Sequence, residues 1–391
     1  KSSSVRFTEE ENFMQTYEVI IVGAGSMGMA AGYYLAKRGV STLMIDAFDP
    51  PHTMGSHHGD TRIIRHAYGE GKQYVPFALR AQELWRELEE ASGMKLFSQT
   101  GVLSAGAKDC AFLQEVRESA ERYSLPLEVL SAQEVRERWA GINLPDDFYA
   151  CLEPASGYLY SENCIRAYRD LAVASGAELL VHTKVTSLQT DQEDVIVHTD
   201  SQSYRGKKLL VSAGAWNSPL LRSLGLSVPL VPTRKTVAWF GAEESLYSSD
   251  RFPAFVFQLS DSIYYGFPSI DGSGVKIGRH DGGQAIDPDT LERTFGSFLS
   301  DEGDVRGFLE TYMPQAAGAL HQGRVCIYTM TPDEHFVIDR HPEHPGIVFA
   351  AGFSGHGFKF ASAVGEATSQ LLLDGTSTLD LSIFSLSRFS S

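Results

Sequence analysis

The stretch Tyr17 to Asp46, YEVIIVGAGSMGMAAGYYLAKRGVSTLMID, decides the fold. Tyr17 to Val22 is a continuous apolar, β-branched run, the pattern of a buried parallel strand. It leads into Gly23-Ala24-Gly25-Ser26-Met27-Gly28 and then a helical segment to about Arg38, with Gly39 as its stop. Ser41 to Ile45 is a second strand, and Asp46 follows at its tip, 23 residues after Gly23. Each residue has a physical task in such a unit. Gly23 permits the tight turn, Gly25 lets the backbone approach a pyrophosphate, and Gly28 lets helix and strand pack closely. The helix N-terminus offers free N–H groups to phosphate, and Asp46 accepts from ribose hydroxyls. The pattern predicts a dinucleotide site and leaves FAD and NAD both open.

Outward from this unit, Trp85 to Ala91, Ala132 to Trp139 and Asn163 to Ser175 read as helices. Gly101 to Ser104, Glu178 to His182 and Lys207 to Ala213 read as extended. From Val228 to Gly278 the pattern changes to alternating, aromatic-rich runs separated by turn residues, which predicts an antiparallel sheet. Gly346 to Ala351 is a strand meeting a glycine-rich turn, Gly352 to Phe358, and a helix follows to about Asp374. Dinucleotide-type α/β pieces thus occur at the start, middle and end, with an antiparallel region between them. The expectation is two interleaved domains sharing a cleft. The fold class is α/β plus α+β: a Rossmann-like nucleotide-binding domain, discontinuous in sequence, beside a substrate domain on a mostly antiparallel sheet.

Composition narrows the function classes. The 391 residues carry 33 Lys and Arg against 49 Asp and Glu, a net charge of −16. So acidic a surface argues against nucleic acid or an anionic membrane as partner, and makes any site for an anion basic only locally. No apolar run approaches the roughly 20 residues that a spanning helix needs. Four cysteines, Cys110, Cys151, Cys164 and Cys326, lack CxxC spacing, which suits a reducing compartment and predicts the cytoplasm. Residues 1–13 read as an expression leader before Met14.

Three clusters can carry chemistry. Gly55 to His66, GSHHGDTRIIRH, packs three histidines and two arginines into an otherwise acidic chain. It reads as a cationic pocket for an anion or flavin, or as a solvated loop. Without carboxylate or cysteine at ligand spacing, no metal site is expected. Tyr264-Tyr265-Gly266-Phe267-Pro268 precedes Lys276 and His280, which are four apart and so share one face of a strand. An ordinary aromatic hairpin explains that pattern slightly better. The third is the turn with His356 and Lys359; a lysine in a first helical turn opposes the dipole, which hints at a bound carboxylate. Cys326, from spacing alone, is a buried core cysteine.

Longer motifs add a resemblance. DAFDPPHTMGSHHGDTRIIRHAYGEG (Asp46 to Gly71), YYGFP, KIGRH, VCIYT, DEHFVID and GFSGHGFKF resemble the amine oxidases with covalent flavin, the family of monomeric sarcosine oxidase and N-methyltryptophan oxidase. The likeness runs from about Tyr17 to Phe389. It implies FAD held by Gly23, Gly25, Gly28, Asp46 and Val185, with a thioether from Cys326 to the flavin. Lys276 matches the lysine that promotes O2 reduction, and Arg65 and Lys359 match the pair holding the substrate carboxylate. Tyr265 and His280 match residues lining the substrate pocket, and His58 and Arg62 match groups beside the flavin ring. The implied reaction is oxidation of an N-methyl amino acid by O2, for sarcosine giving glycine, formaldehyde and peroxide, by a monomer. It also sets domain limits: 15–97, 161–229 and 333–391 for FAD, and 98–160 and 230–332 for substrate.

One position departs from the pattern. Nine residues before Tyr265, where sarcosine oxidases commonly have methionine, this chain has Val256. A smaller side chain there admits a larger amine, and FPAF (Phe252 to Phe255) and RKTVAWF (Arg234 to Phe240) resemble N-methyltryptophan oxidase more. An NAD-dependent dehydrogenase and a non-catalytic dinucleotide-binding protein share the same βαβ unit. The clustered Arg62, Arg65, Lys276 and Lys359 speak against the latter. A flavin dehydrogenase delivering electrons to a carrier is a third rival, against which Lys276 favours an oxidase.

Overall fold

The strand Thr16–Val22 lies at the centre of an eight-stranded sheet in the computed structural model, which describes residues 14–390. The leader expected over 1–13 lies outside the described residues. Thr16–Val22 pairs in parallel with Thr42–Ile45 on one side and Ser203–Val211 on the other. Glu178–Leu180 and Ile347–Ala351 extend the parallel set outward. The central strands are buried on both faces by helices and by the opposite core, which explains their unbroken apolar runs. Helix Ser26–Lys37 packs on Ala361–Asp374 and Ser161–Ala174, so the first, middle and last parts of the chain build one layer. This is the expected discontinuous Rossmann-like arrangement.

The glycines do what the motif requires. Gly23 has φ +92°, and a Cβ there would lie 2.4 Å from the carbonyl oxygen of Ser212. A Cβ on Gly28 would lie 1.9 Å from the carbonyl oxygen of Gly23, so helix and turn touch backbone to backbone.

A nine-stranded sheet forms the second layer. Its order runs Gln284–Ala285, Val231–Phe240, Val275–Arg279, Ile263–Phe267, Ala254–Gln258, Val102–Ala107, Phe148–Glu153 and Glu128–Ser131, with Leu320–Met330 also on Val231–Phe240. All its pairings are antiparallel except Ala254–Gln258 with Val102–Ala107. Phe240, Phe252, Phe255, Phe257 and Phe308 pack its own core. The aromatic alternation that predicted this sheet is therefore core packing on one face, with Tyr265 turned to the other side.

Some local expectations shift. Helix Val75–Ser92 starts ten residues before the predicted Trp85, because the Pro76 in its first turn is tolerated there. The strand expected over Glu178 to His182 stops at Leu180. Lys359 sits in a 3₁₀ turn, Phe358–Phe360, just before the helix Ala361–Asp374 rather than within it. The histidine- and arginine-rich segment contains a strand, Thr61–Ile64, paired with Gly157–Tyr160 in a small sheet.

Candidate active site

A cavity of about 780 Å³ runs between the two large sheets. Gly23, Gly25, Asp46 and Val185 line one end, and Arg62, Arg65, Tyr265, His280, Cys326 and Lys359 line the other. At the first end the helix Ser26–Lys37 begins at Gly25 with no side-chain cap, leaving its first N–H groups free for phosphate. Asp46 accepts from the N–H groups of Ala24 and Phe48, both at 2.9 Å, which fixes its carboxylate at the cavity wall. Gly28 is set back from the cavity and serves packing alone. An elongated cavity with an open helix N-terminus and a fixed acid matches the phosphate and ribose of a dinucleotide.

The other end is cationic. Arg65 is buried at 5 % exposure and donates through Nη2 to Glu70 at 2.5 Å. Its guanidinium lies between the rings of Tyr68, 4.3 Å away, and Phe112, 5.3 Å away. Burial works against that charge, but Glu70 more than offsets it and raises the pKa, while the same pairing brings Glu70 down to about 2 despite its own burial. Lys359 donates to the carbonyl of His356 at 2.8 Å and to the Tyr68 hydroxyl at 3.2 Å. Burial first, then Arg65, lowers Lys359 to about 7. Among the described residues, Arg65 Nη1 is buried without a partner. Two cations from opposite ends of the chain thus meet at one wall with donor capacity left over.

Lys276 and His280 lie on one face of the hairpin, across from Phe267 and Tyr265, but of the two His280 alone lines the cavity. His280 faces the cavity, 3.4 Å from the Tyr328 hydroxyl and with its ring 6.5 Å from that of Tyr265. Lys276 lies behind the cavity wall, donating to the carbonyls of Gly59 and Thr61. His58 is also behind the wall, with both ring nitrogens unpartnered among the described residues. Arg62 donates to the carbonyls of Ser56, His58 and Thr61, so the arginine braces the turn it belongs to. Cys326 lines the cavity on the strand Leu320–Met330, directly opposite Lys235 in the ladder. Burial pushes its thiol up, and Arg62, Lys276 and Lys235 act in the opposite sense.

Three glutamates escape sequence reading. Glu70 pairs with Arg65, five residues away, and its place in AYGEG was the only signal. Glu153 accepts from the N–H groups of His66 and Ala67 at 2.9 and 2.7 Å, clamping the backbone beyond Arg65. Glu162 accepts from Gly59 and Asp60. These last pairings span 86 to 103 residues, and no local pattern announces them.

The buried histidines set a pH dependence. Burial is the main cause that lowers His57, His58 and His356 to about 3 and His66 and His280 to about 4. Unfolded, each titrates near its ordinary 6.5. The unfolded chain therefore binds protons that the folded chain refuses, and the stability these groups contribute is full above about pH 6.5 and declines as pH falls toward 4. A series of Tm measurements is expected to decline steadily below about pH 6.5. A flat series down to about pH 4.5 would contradict that burial.

Among the described residues, no helix is long and apolar enough to cross a membrane. Residues 18–371 match the family model described as FAD dependent oxidoreductase. The chain is 57% identical over 374 residues to monomeric sarcosine oxidase of Bacillus sp. (strain B-0618), covering 95% of this chain and 96% of that protein. It is 42% identical to N-methyl-L-tryptophan oxidase of Yersinia pestis (strain Pestoides F), covering 95% and 99%. The solved structure of L-proline dehydrogenase from P. horikoshii superposes with a TM-score of 0.84 at 22% identity, covering 97% of this chain and 99% of that one, a likeness of fold. With the glycine turn, the fixed Asp46 and the cavity in place, the chain belongs to the FAD-dependent oxidoreductases, in the family that holds monomeric sarcosine oxidase and N-methyl-L-tryptophan oxidase.

Proposed function

We propose that this chain oxidises N-methyl amino acids with O2, sarcosine foremost, yielding glycine, formaldehyde and H2O2. The observation that carries the reading is the buried Arg65–Lys359 pair at one end of an FAD-sized cavity. Bound there, FAD supplies the redox chemistry, taking two electrons from the amine and passing them to O2. Gly23, Gly25, Asp46 and Val185 would hold the nucleotide part, and Arg62 and Cys326 would stand at the ring, with His58 behind them.

The protein's own residues do the rest. Arg65, as a planar fork with Nη1 free, orients a carboxylate, and Lys359 adds a second positive charge. That anchoring aligns the N-methyl group with the ring, the arrangement on which rate depends. Removal from water in the cavity disfavours a protonated amine, so the reactive neutral form gains population in the pocket. His280, neutral and facing the cavity, and Tyr265, pushed up to about 12 by burial, present polar edges to that amine without adding charge. Lys276 supports O2 reduction from behind the wall.

Val256, which lines the cavity, supports a second reading in which a bulkier N-methyl amino acid such as N-methyl-L-tryptophan is preferred. A peroxide assay across sarcosine, N-methyl-L-tryptophan, N-methylalanine and proline separates the two. We take the protein to act as a monomer, as the name of its sarcosine oxidase relative says of that enzyme. The four free cysteines suit the cytoplasm.

Cys326 is proposed as the point of covalent attachment, since it lines the cavity, where Arg62, Lys276 and Lys235 act against the burial that pushes its thiol up. Cys326→Ser is expected to fold and to release its flavin into the supernatant on acid precipitation, while the wild type stays yellow in the pellet. Yellow Cys326→Ser pellets would move the attachment elsewhere.

A further inference from the structure

Peptide units in the turn His58 to Thr61 link one carboxylate to two cations. The N–H groups of Gly59 and Asp60 donate to Glu162, at 2.8 Å to Oε1 and 3.0 Å to Oε2. The carbonyl that shares a peptide with the Asp60 N–H is that of Gly59, and it accepts from Lys276. The carbonyl that shares a peptide with the Gly59 N–H is that of His58, and it accepts from Arg62. Each peptide therefore has the carboxylate at its N–H end and a cation at its oxygen end, an arrangement in which hydrogen bonds polarise one another. The backbone is set for it: Gly59 has φ +106° and Asp60 φ +71°, turning consecutive N–H groups toward one anion.

We propose that Glu162 is a positioning residue of the oxygen half-reaction, holding Lys276 in place through the Gly59–Asp60 peptide and balancing its charge. The inference rests on the part given to Lys276 under the proposed function. Glu162 stands in the first turn of the helix Ser161–Ala174, fixed by the Ser161 hydroxyl at 2.8 Å. Burial works against its charge, but that hydroxyl, the turn's N–H groups and Arg62 outweigh it and keep its pKa at about 2. Lys276 is 2 % exposed, and burial drives its ammonium strongly toward the neutral form. The charged and titratable groups facing it are Arg62, Asp60 in the turn, Glu162 and Cys326. The rings of Phe267 and Trp239 lie at 4.5 and 5.4 Å. Arg62 opposes the ammonium, and Asp60 is drawn outward by Arg324 at 3.1 Å. Glu162 is the counter-charge that is both fixed and wired to it by hydrogen bonds.

The test uses holoprotein reduced anaerobically with dithionite, so that no amine is needed, then mixed with O2 across a pH series. Glu162→Gln is expected to reoxidise about tenfold more slowly near neutral pH, with the fall in rate at high pH displaced about one unit lower. Its reduction by amine should stay within about twofold of wild type. In apoprotein, amide hydrogens of the Gly59–Asp60 turn should exchange faster in Glu162→Gln than in wild type. Glu162→Asp keeps the charge at a shorter reach and should leave the pH limb in place while slowing reoxidation; it carries the test if Glu162→Gln fails to fold. In a Lys276→Met background, Glu162→Gln should add no further slowing. An unchanged rate and pH limb, or equal slowing of both half-reactions, would overturn the proposal. If wild type and Lys276→Met reoxidise alike, the role of Lys276 itself fails, an outcome separate from failure of Glu162 alone.

Discussion

Arg65→Ala is expected to lower kcat/KM for sarcosine by about a hundredfold or more and to slow flavin reduction along with it. The guanidinium keeps a buried, unpartnered Nη1 at the cavity end, and misplacing a bound substrate by a fraction of its length costs rate as well as affinity. A second consequence follows from Glu70. With its partner gone, the Glu70 carboxylate, 26 % exposed at the cavity, loses the charge that holds its pKa at about 2. Removing one member of a fully buried pair destabilises by about 3–5 kcal/mol, and with Glu70 partly exposed a smaller loss is expected, so the variant should still melt earlier. Arg65→Ala with Glu70→Gln removes both charges and should recover much of the Tm without recovering activity. The decisive comparison is sarcosine against an N-methyl amine that lacks a carboxylate. Wild type should prefer sarcosine strongly, and Arg65→Ala should erase most of that preference. Equal preference in both proteins would place the carboxylate elsewhere.

Lys276→Met is expected to slow reoxidation of the reduced flavin by about 10²–10³, with a smaller effect on reduction by amine. A preorganised positive group beside the site where O2 acquires charge is worth that much when water is excluded. Methionine keeps the bulk between Phe267 and Trp239 but donates nothing to Gly59 or Thr61, so the turn loosens while the packing survives. Stopped-flow mixing of the reduced variant with O2 reads the effect directly. Unchanged reoxidation would remove Lys276 from the oxygen step.

How much of this was legible beforehand depended on the range of the interactions. The dinucleotide unit is local: strand, turn, helix and acid fall within Tyr17 to Asp46, and each glycine has a steric reason visible in the sequence. The antiparallel sheet was legible because aromatic alternation marks its buried face. Arg65 and Lys359 are brought together only by the fold, and resemblance rather than spacing placed them in one pocket. For Cys326, strand-like surroundings predicted a core residue; it is indeed buried, but at a cavity wall that no periodicity reveals. The spacing of four does put Lys276 and His280 on one face, but it does not tell that Lys276 is held behind the cavity wall by Gly59 and Thr61. Glu153 and Glu162 were invisible for a different reason. A carboxylate that caps backbone N–H groups some hundred residues away has no partner side chain to suggest it.

Amine oxidation in this chain is expected to be coupled to O2 at the expense of an N-methyl group. The most direct measurement follows O2 uptake, peroxide and formaldehyde together as limiting sarcosine is consumed by the purified holoprotein. One O2 consumed and one peroxide and one formaldehyde released are expected for each sarcosine. Sarcosine-dependent bleaching of the flavin without O2 uptake, its electrons recovered only on an added dye, would contradict that coupling.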